Sequence, residues 1–188
     1  MARRPQRPMT EARLRNIALH YCQRYLVSEA KLRVYLARRL ARSPTAEDER
    51  ARLAEAVAGI AAEMARLGLA DDREAASARL RGALRAGYAE GAAVGVAARA
   101  AMVPRETAEG ALPAALADTV PELDDALPDE SARSAALARL ALSRARRGPF
   151  RTAGQDEGSR RRDAAWLARR GFRFADIRAA LEIDSEEG

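Results

Sequence analysis

Residues 10–40 read TEARLRNIALHYCQRYLVSEAKLRVYLARRL, and their periodicity decides the fold class. Leu14, Ile17, Ala18, Tyr21 and Tyr25 recur at intervals of three and four, which lines them up on one face of an α-helix. Thr10 precedes that stripe as an N-cap, so a first helix is predicted from Thr10 to about Leu26. Ser28 opens a second, with Leu32, Tyr35, Leu36 and Leu40 facing inward.

The same signals continue outward. A third helix is predicted from Pro44-Thr45, with Asp48 three residues after the Thr45 cap as in a capping box. Its stripe is Leu53, Val57, Ile60, Met64 and Leu67, and Gly68 ends it in the left-handed conformation. Asp71-Asp72 cap a fourth helix bearing Ala76, Leu80 and Leu84, stopped by Gly87. A short Ala/Val helix follows around residues 91–102, and Pro104 opens another that Pro113 is expected to end or kink early. The last trio is predicted at about Asp129–Arg147, Ser159–Arg170 and Phe174–Ile183.

Nine helices in three groups of three give a definite domain plan. Residues 1–9 form a disordered basic tail, 10–68 a first three-helix repeat and 69–117 a second. An acidic, proline-containing linker spans 118–128. The third repeat covers 129–183, with a mobile loop at 148–158, and 184–188 form an acidic tail. A faint internal repeat agrees: Leu36-Ala37-Arg38-Arg39 recurs as Leu167-Ala168-Arg169-Arg170, and Phe172 to Leu181 echoes Val103 to Leu112.

Composition points the same way. Of the 188 residues 48% are hydrophobic and only 4% aromatic, and Ala, Leu and Arg dominate, all strong helix formers. No stretch alternates apolar and polar residues as a strand does, so the class is all-α. The lone cysteine, Cys22, excludes an intramolecular disulfide and a four-cysteine zinc site, and fits a reducing, cytoplasmic setting. No apolar run approaches the ~20 residues of a membrane span. The segment Ala2 to Pro8 lacks the apolar core of a secretory signal. With no long heptad seam, a monomer is expected.

Catalytic chemistry has little to stand on. His20 is the only histidine and lies off the apolar stripe of its helix, so it reads as a surface residue. Cys22, at the edge of the stripe, reads as a semi-buried packing residue. Adjacent Asp71 and Asp72 at a helix start read as caps rather than as a metal pair. No phosphate-cradling glycine motif occurs. No enzyme activity and no cofactor are expected.

Charge carries more information. Net charge is +9 over residues 1–42, −8 over 43–130 and +8 over 131–183, a basic–acidic–basic pattern that suits a partner bearing both signs. Two clusters are the candidate partner-binding residues. The first is Arg24, Lys31, Arg38 and Arg42, around the second helix. The second is Arg160, Arg161, Arg162, Arg169, Arg170 and Arg173, near the C-terminus. Arginine forks pair bidentately with carboxylates or phosphates, so an acidic protein surface and a DNA backbone both qualify. Ordinary solvated faces are the alternative for each cluster. Tyr25 and Tyr35 are able to stack on bases, but their spacing favours core packing, and Trp166 is expected to anchor the last repeat's core.

Three segments, in order, resemble one family. They are Tyr21-x-x-x-Tyr25-Leu26 with Ser28-Glu29-x-Lys31-Leu32-Arg33-x-x-Leu36; Gly68-Leu69-Ala70-Asp71-Asp72-Arg73; and Leu167-x-Arg169-Arg170-Gly171-Phe172 with Ile177 and Leu181. Together they span about residues 12 to 183 and are similar to the opening, the Asp-Asp turn and the C-terminal signature of RecX regulatory proteins. Four features depart from the family pattern. Ala75 stands where an aromatic is usual, Ala101-Met102 where a Lys-Gly turn is usual, and Arg173 where a serine is usual, while the loop at 43–50 is longer. The resemblance implies an elongated, slightly curved array of three three-helix repeats. It implies binding to RecA recombinase and its filament on single-stranded DNA, within the filament groove. Inhibition of extension, ATPase, strand exchange and coprotease activities would follow. The alternative is a DNA-binding regulator whose three-helix units act like helix-turn-helix modules, against which the acidic middle argues.

Overall fold

The computed structural model describes residues 7–121, 123, 129–152, 154 and 156–181. They form nine α-helices and one 3-10 turn, with no strand among the described residues. The helices are α1 (Glu11–Arg24), α2 (Glu29–Ala41), α3 (Glu47–Arg66), α4 (Asp72–Arg85), α5 (Glu90–Ala101), α6 (Arg105–Thr119), α7 (Glu130–Arg144), α8 (Glu157–Ala168) and α9 (Phe174–Leu181), with the 3-10 turn at Gly148–Phe150.

Short polar side chains set the helix starts. Thr10, Ser28, Asp71, Asp129 and Asp156 each accept a hydrogen bond from the backbone N–H three residues on, satisfying a donor that the first turn leaves orphaned. The ends share a device too. After α3, α4, α5, α7 and α8 the chain turns through a residue of positive φ: Gly68, Gly87, Met102, Arg146 and Gly171. In each turn the next amide donates five residues back, as Val103 does to Ala98 and Phe172 to Leu167. Glycine adopts that backbone freely, whereas Met102 and Arg146 carry a Cβ against it. Met102→Gly is therefore expected to stabilise the protein by about 1 kcal/mol, raising the thermal midpoint by roughly 2–4 °C. A lower midpoint would mean that the half-exposed Met102 side chain contributes more packing than its backbone costs.

The helices pack in groups: α1, α2 and α3 against one another, then α4, α5 and α6, then α7 and α8 each against α9 and the 3-10 turn. Two cores result rather than three. Leu14, Leu32, Leu36, Leu40, Leu53, Val57, Ile60 and Met64 fill the first, and the second runs unbroken from Ala75 in α4 to Ala180 in α9. Alanine dominates that second core in α4, α5 and α6, where Ala76, Ala93, Ala97, Ala108 and Ala115 are fully buried. Side chains this small let helix axes approach closely.

Several expectations need correcting. Thr45 does not cap α3, because its hydroxyl accepts the Met9 amide at 2.9 Å; Ala46 precedes the helix without a side-chain cap. Acidic Glu47, Asp48 and Glu49 face the positive end of the α3 dipole instead. Met9, placed in the disordered tail, is buried in the first core. Pro113 does not end α6, which continues to Thr119, so residues 118 and 119 belong to a helix rather than the linker. Burial of Ala115, Leu116 and Thr119 beyond the proline offsets the hydrogen bond it removes. The segment expected as a mobile loop is tied down where it is described: Gly148 is buried, and its amide and Arg151 both bond the buried Asp163. The tails at 1–6 and 182–188, and most of the linker, lie outside the described residues.

Candidate functional site

The motif residues converge on two seams between helix groups. At the first, Ser28 caps α2 and donates its own hydroxyl to the carbonyl of Ala101, at the end of α5. Lys31, one turn further on, donates its ammonium to the Ala100 carbonyl at 2.6 Å, where the negative end of the α5 dipole favours a cation. Burial, with the charge of Arg79 behind it, lowers the Lys31 pKa. The aspartate pair closes the other side. Asp71 caps its own helix through the Glu74 amide, while Asp72 reaches across to accept the first amide of α2, Glu29, at 2.9 Å. The Asp71 amide donates to the Val27 carbonyl at 3.0 Å.

The second seam has the same plan. Ala89, just before α5, donates its amide to the Arg170 carbonyl at the end of α8, at 3.0 Å. Arg170 is half-buried. Its Nε donates to the Ala86 carbonyl at 3.0 Å, and its guanidinium lies 3.7 Å from the centroid of the Trp166 ring, with Tyr88 at 5.6 Å. Burial pulls the Arg170 pKa down from its ordinary value. Gly171 follows at φ +89°, with the backbone so close to α5 that a Cβ there would meet the Ala92 methyl at 2.6 Å. In each seam the start of a group's second helix abuts the end of the next group's.

The sequence-predicted cations therefore divide. Lys31 and Arg170 spend their donors inside the chain. Arg24, Arg38 and Arg42 are exposed, as are Arg160, Arg161, Arg162, Arg169 and Arg173. Arg161 pairs with Glu157 at 2.6 Å and Arg173 with Glu130 at 3.5 Å, both surface contacts of small energetic weight. Trp166 is half-buried and packs against the second core, with Arg147 5.1 Å from its ring centroid as well. Tyr25 is 53% exposed, contrary to the core packing expected of it.

Two surface features escaped the sequence reading. A groove of about 320 Å³ is lined by Arg160, Arg161, Ala164, Ile177, Arg178 and Leu181. Phe174 sits on its edge with 79% of its surface open. The stripe of α9 carried a signal for it, since Phe174, Ile177 and Leu181 recur at intervals of three and four. The other is a cleft of about 290 Å³ in which Arg39 of α2 and Arg42 just beyond its end meet Arg7 and Arg13. Arg13 also donates to the carbonyls of Arg7 and Pro8. Arg39 was hidden in sequence beside Arg38, one step round the helix.

His20 is exposed, and Cys22 is half-buried with its thiol pKa pushed up by burial, which does not favour a nucleophilic thiolate. Among the described residues no three His, Cys, Asp or Glu side chains gather as metal ligands, and no helix is long and apolar enough to cross a membrane.

No protein-family model matches the chain, and no solved structure matches it at a significant level. A curated protein of Myxococcus xanthus strain DK1622, "Regulatory protein RecX", is 32% identical over 184 residues, covering 96% of this chain and 91% of that protein. With 32% identity over nearly the whole of both proteins, the chain belongs to the RecX family of regulatory proteins.

Proposed function

We propose that this protein regulates RecA recombinase. It binds RecA's filament on single-stranded DNA, lodges in the filament groove and opposes extension, so that ATPase, strand exchange and coprotease activities fall. It works as a cytoplasmic monomer without a cofactor, as three three-helix repeats in an elongated, slightly curved array. The observation that carries the reading is the repeated seam. Two similar junctions hold successive helix groups in order, and arginines lie exposed near both ends of the chain. An array of this kind suits a polymer partner that offers many contacts along its length.

The partner-binding surface on this reading is Arg24, Arg38 and Arg42 at one end and Arg160, Arg161, Arg162, Arg169 and Arg173 at the other, without Lys31 and Arg170. The Phe174 groove supplies an apolar anchor point within the second cluster, the usual composition of a binding hot spot. The test is RecA's single-stranded-DNA-dependent ATP hydrolysis with substoichiometric protein added. A progressive decline is expected; no effect at stoichiometric excess would overturn the proposal. Replacing Arg161, Arg169 and Arg173 together with alanine should raise the amount needed for inhibition on the order of tenfold. The fold should survive, because exposed substitutions usually change stability by less than about 0.5 kcal/mol. Arg170→Ala should behave oppositely, costing about 1–2 kcal/mol through the lost stacking on Trp166 and the lost hydrogen bond to the solvent-accessible Ala86 carbonyl.

A further inference from the structure

We infer that the outer face of α1 and α2 is a ledge for single-stranded DNA, with bases stacking on tyrosines at one end and phosphates held by arginines at the other. The inference rests on its own observations and does not depend on the RecA reading. Tyr21 and Tyr35 stack with ring centroids 3.9 Å apart and planes 16° from parallel, and Tyr25 lies against Tyr21 at 4.9 Å. Both α1 and α2 therefore contribute to one aromatic cluster. Tyr25 leaves more than half of its surface open to solvent, and neighbouring Leu26 does the same. Tyr21 and Tyr35 are half-buried against the first core, but Tyr25 is left open, although burying an aromatic ring is among the larger gains a fold can make.

The cationic end belongs to the same face. Arg39 and Arg42 stand four and seven residues after Tyr35, the spacing of one helical stripe. At 1.5 Å per residue the ledge from Tyr35 to Arg42 is about 10 Å long. There Arg39 and Arg42 meet Arg7 and Arg13 in a cleft with no acidic residue in its lining. Arg79 of α4, exposed, adds positive charge beside Tyr21 and Lys31. The acids within α1 and α2 are Glu11 and Glu29, each in its helix's first turn, and Glu11 is 3.4 Å from Arg15. Guanidinium groups alone would accept an acidic protein surface equally well. The tyrosines decide between them: the open Tyr25 ring beside the stacked Tyr21–Tyr35 pair, on the face that carries the cationic cleft, matches the stacking-plus-phosphate pattern of single-strand binding.

The experiment compares two labelled oligonucleotides of one length by fluorescence anisotropy, poly-dT and its abasic counterpart, with no RecA present. The full-length protein should bind the base-bearing strand more tightly. Tyr25→Ala should weaken that binding roughly 5- to 100-fold and leave abasic binding unchanged, while Tyr25→Phe retains it. Replacing Arg39 and Arg42 with alanine should weaken both strands and flatten the salt dependence by about 0.7 per lost phosphate contact. Equal affinity for the two strands, or full binding by a folded Tyr25→Ala protein, would overturn the proposal. Absence of DNA binding would do so too, and a Tyr25→Ala protein that then lost RecA inhibition would identify the ledge as a protein-docking face. Because the binding assay lacks RecA, its failure and that of the filament-regulator reading are separately visible.

Discussion

Asp163→Ala is expected to cost about 3 kcal/mol of stability, the low end for breaking a buried charge pair. Asp163 has no exposed surface, yet its carboxylate is fully occupied. Oδ2 accepts from the Gly148 amide at 2.8 Å and from Arg151 Nε at 3.1 Å; Oδ1 accepts from Arg147 at 2.9 Å and Arg151 Nη2 at 2.8 Å. One side chain on α8 thus fixes the end of α7, the 3-10 turn and the chain beyond it. Removing it leaves the buried amide of Gly148 without its acceptor, while the arginines, about a third exposed, can turn partly to water. That partial escape keeps the cost at the lower limit.

The same node predicts a pH dependence. Burial by itself raises the Asp163 pKa, but hydrogen bonds from Arg151, the Gly148 amide and Arg147 outweigh it and hold the carboxyl below its usual value of 3.8. A depressed folded-state pKa contributes stability that is fully present above the unfolded value and is lost as pH falls through the folded one. The wild-type advantage over Asp163→Ala should therefore be constant near neutrality and shrink below about pH 4. Thermal melts at pH 7 should separate the two proteins by roughly 6–12 °C. Midpoints within a degree of each other would mean that the node does not hold these elements together.

Gly171→Ala is the second large effect, expected at about 2–4 kcal/mol. Two costs add at this position. An L-residue at φ +89° gives up roughly 1 kcal/mol relative to glycine, and its Cβ would lie 2.6 Å from the Ala92 methyl. That methyl is fixed to α5, so relief requires the seam itself to open, at an overpacking cost of about 1–3 kcal/mol. Gly68→Ala is the natural control, because Gly68 shares the positive φ but has nothing within 4 Å of its Cβ position. Its loss should be confined to the backbone term. Hydrogen exchange should also quicken at the Ala89 amide, which donates to Arg170 beside the clash, in Gly171→Ala alone. Equal midpoints for the two variants would remove the case for a tight seam.

How far the sequence could be read depends on the range of the interaction. The all-α class, the nine helices and the helix starts at Thr10, Ser28, Asp71 and Asp129 follow from spacing and from single residues, which act over three or four positions, whereas Asp156, the cap of α8, lay in the stretch read as a loop. Gly68 and Gly87 were legible as turn residues for the same reason; Met102 and Arg146 were not, since nothing in either side chain announces a left-handed backbone. The prolines were legible as local breakers, yet Pro113 lies inside α6 because burial beyond it outweighs the lost bond.

The candidate surface was legible only as composition. The clusters of arginine were visible in the chain, but which of them point outward was not. Arg169 and Arg170 are neighbours in sequence, and the helix turns one to solvent and the other onto Trp166. Asp71 and Asp72 both read as caps of α4, and only the fold gives Asp72 a second helix to cap. By itself the sequence determined helices, their ends and their charge, because those depend on contacts a few residues apart. Only the tertiary structure decided the seams and the Asp163 node, because each requires groups between 12 and 84 positions apart to meet, and the exposure of Tyr25, because that depends on what the fold packs over the ring.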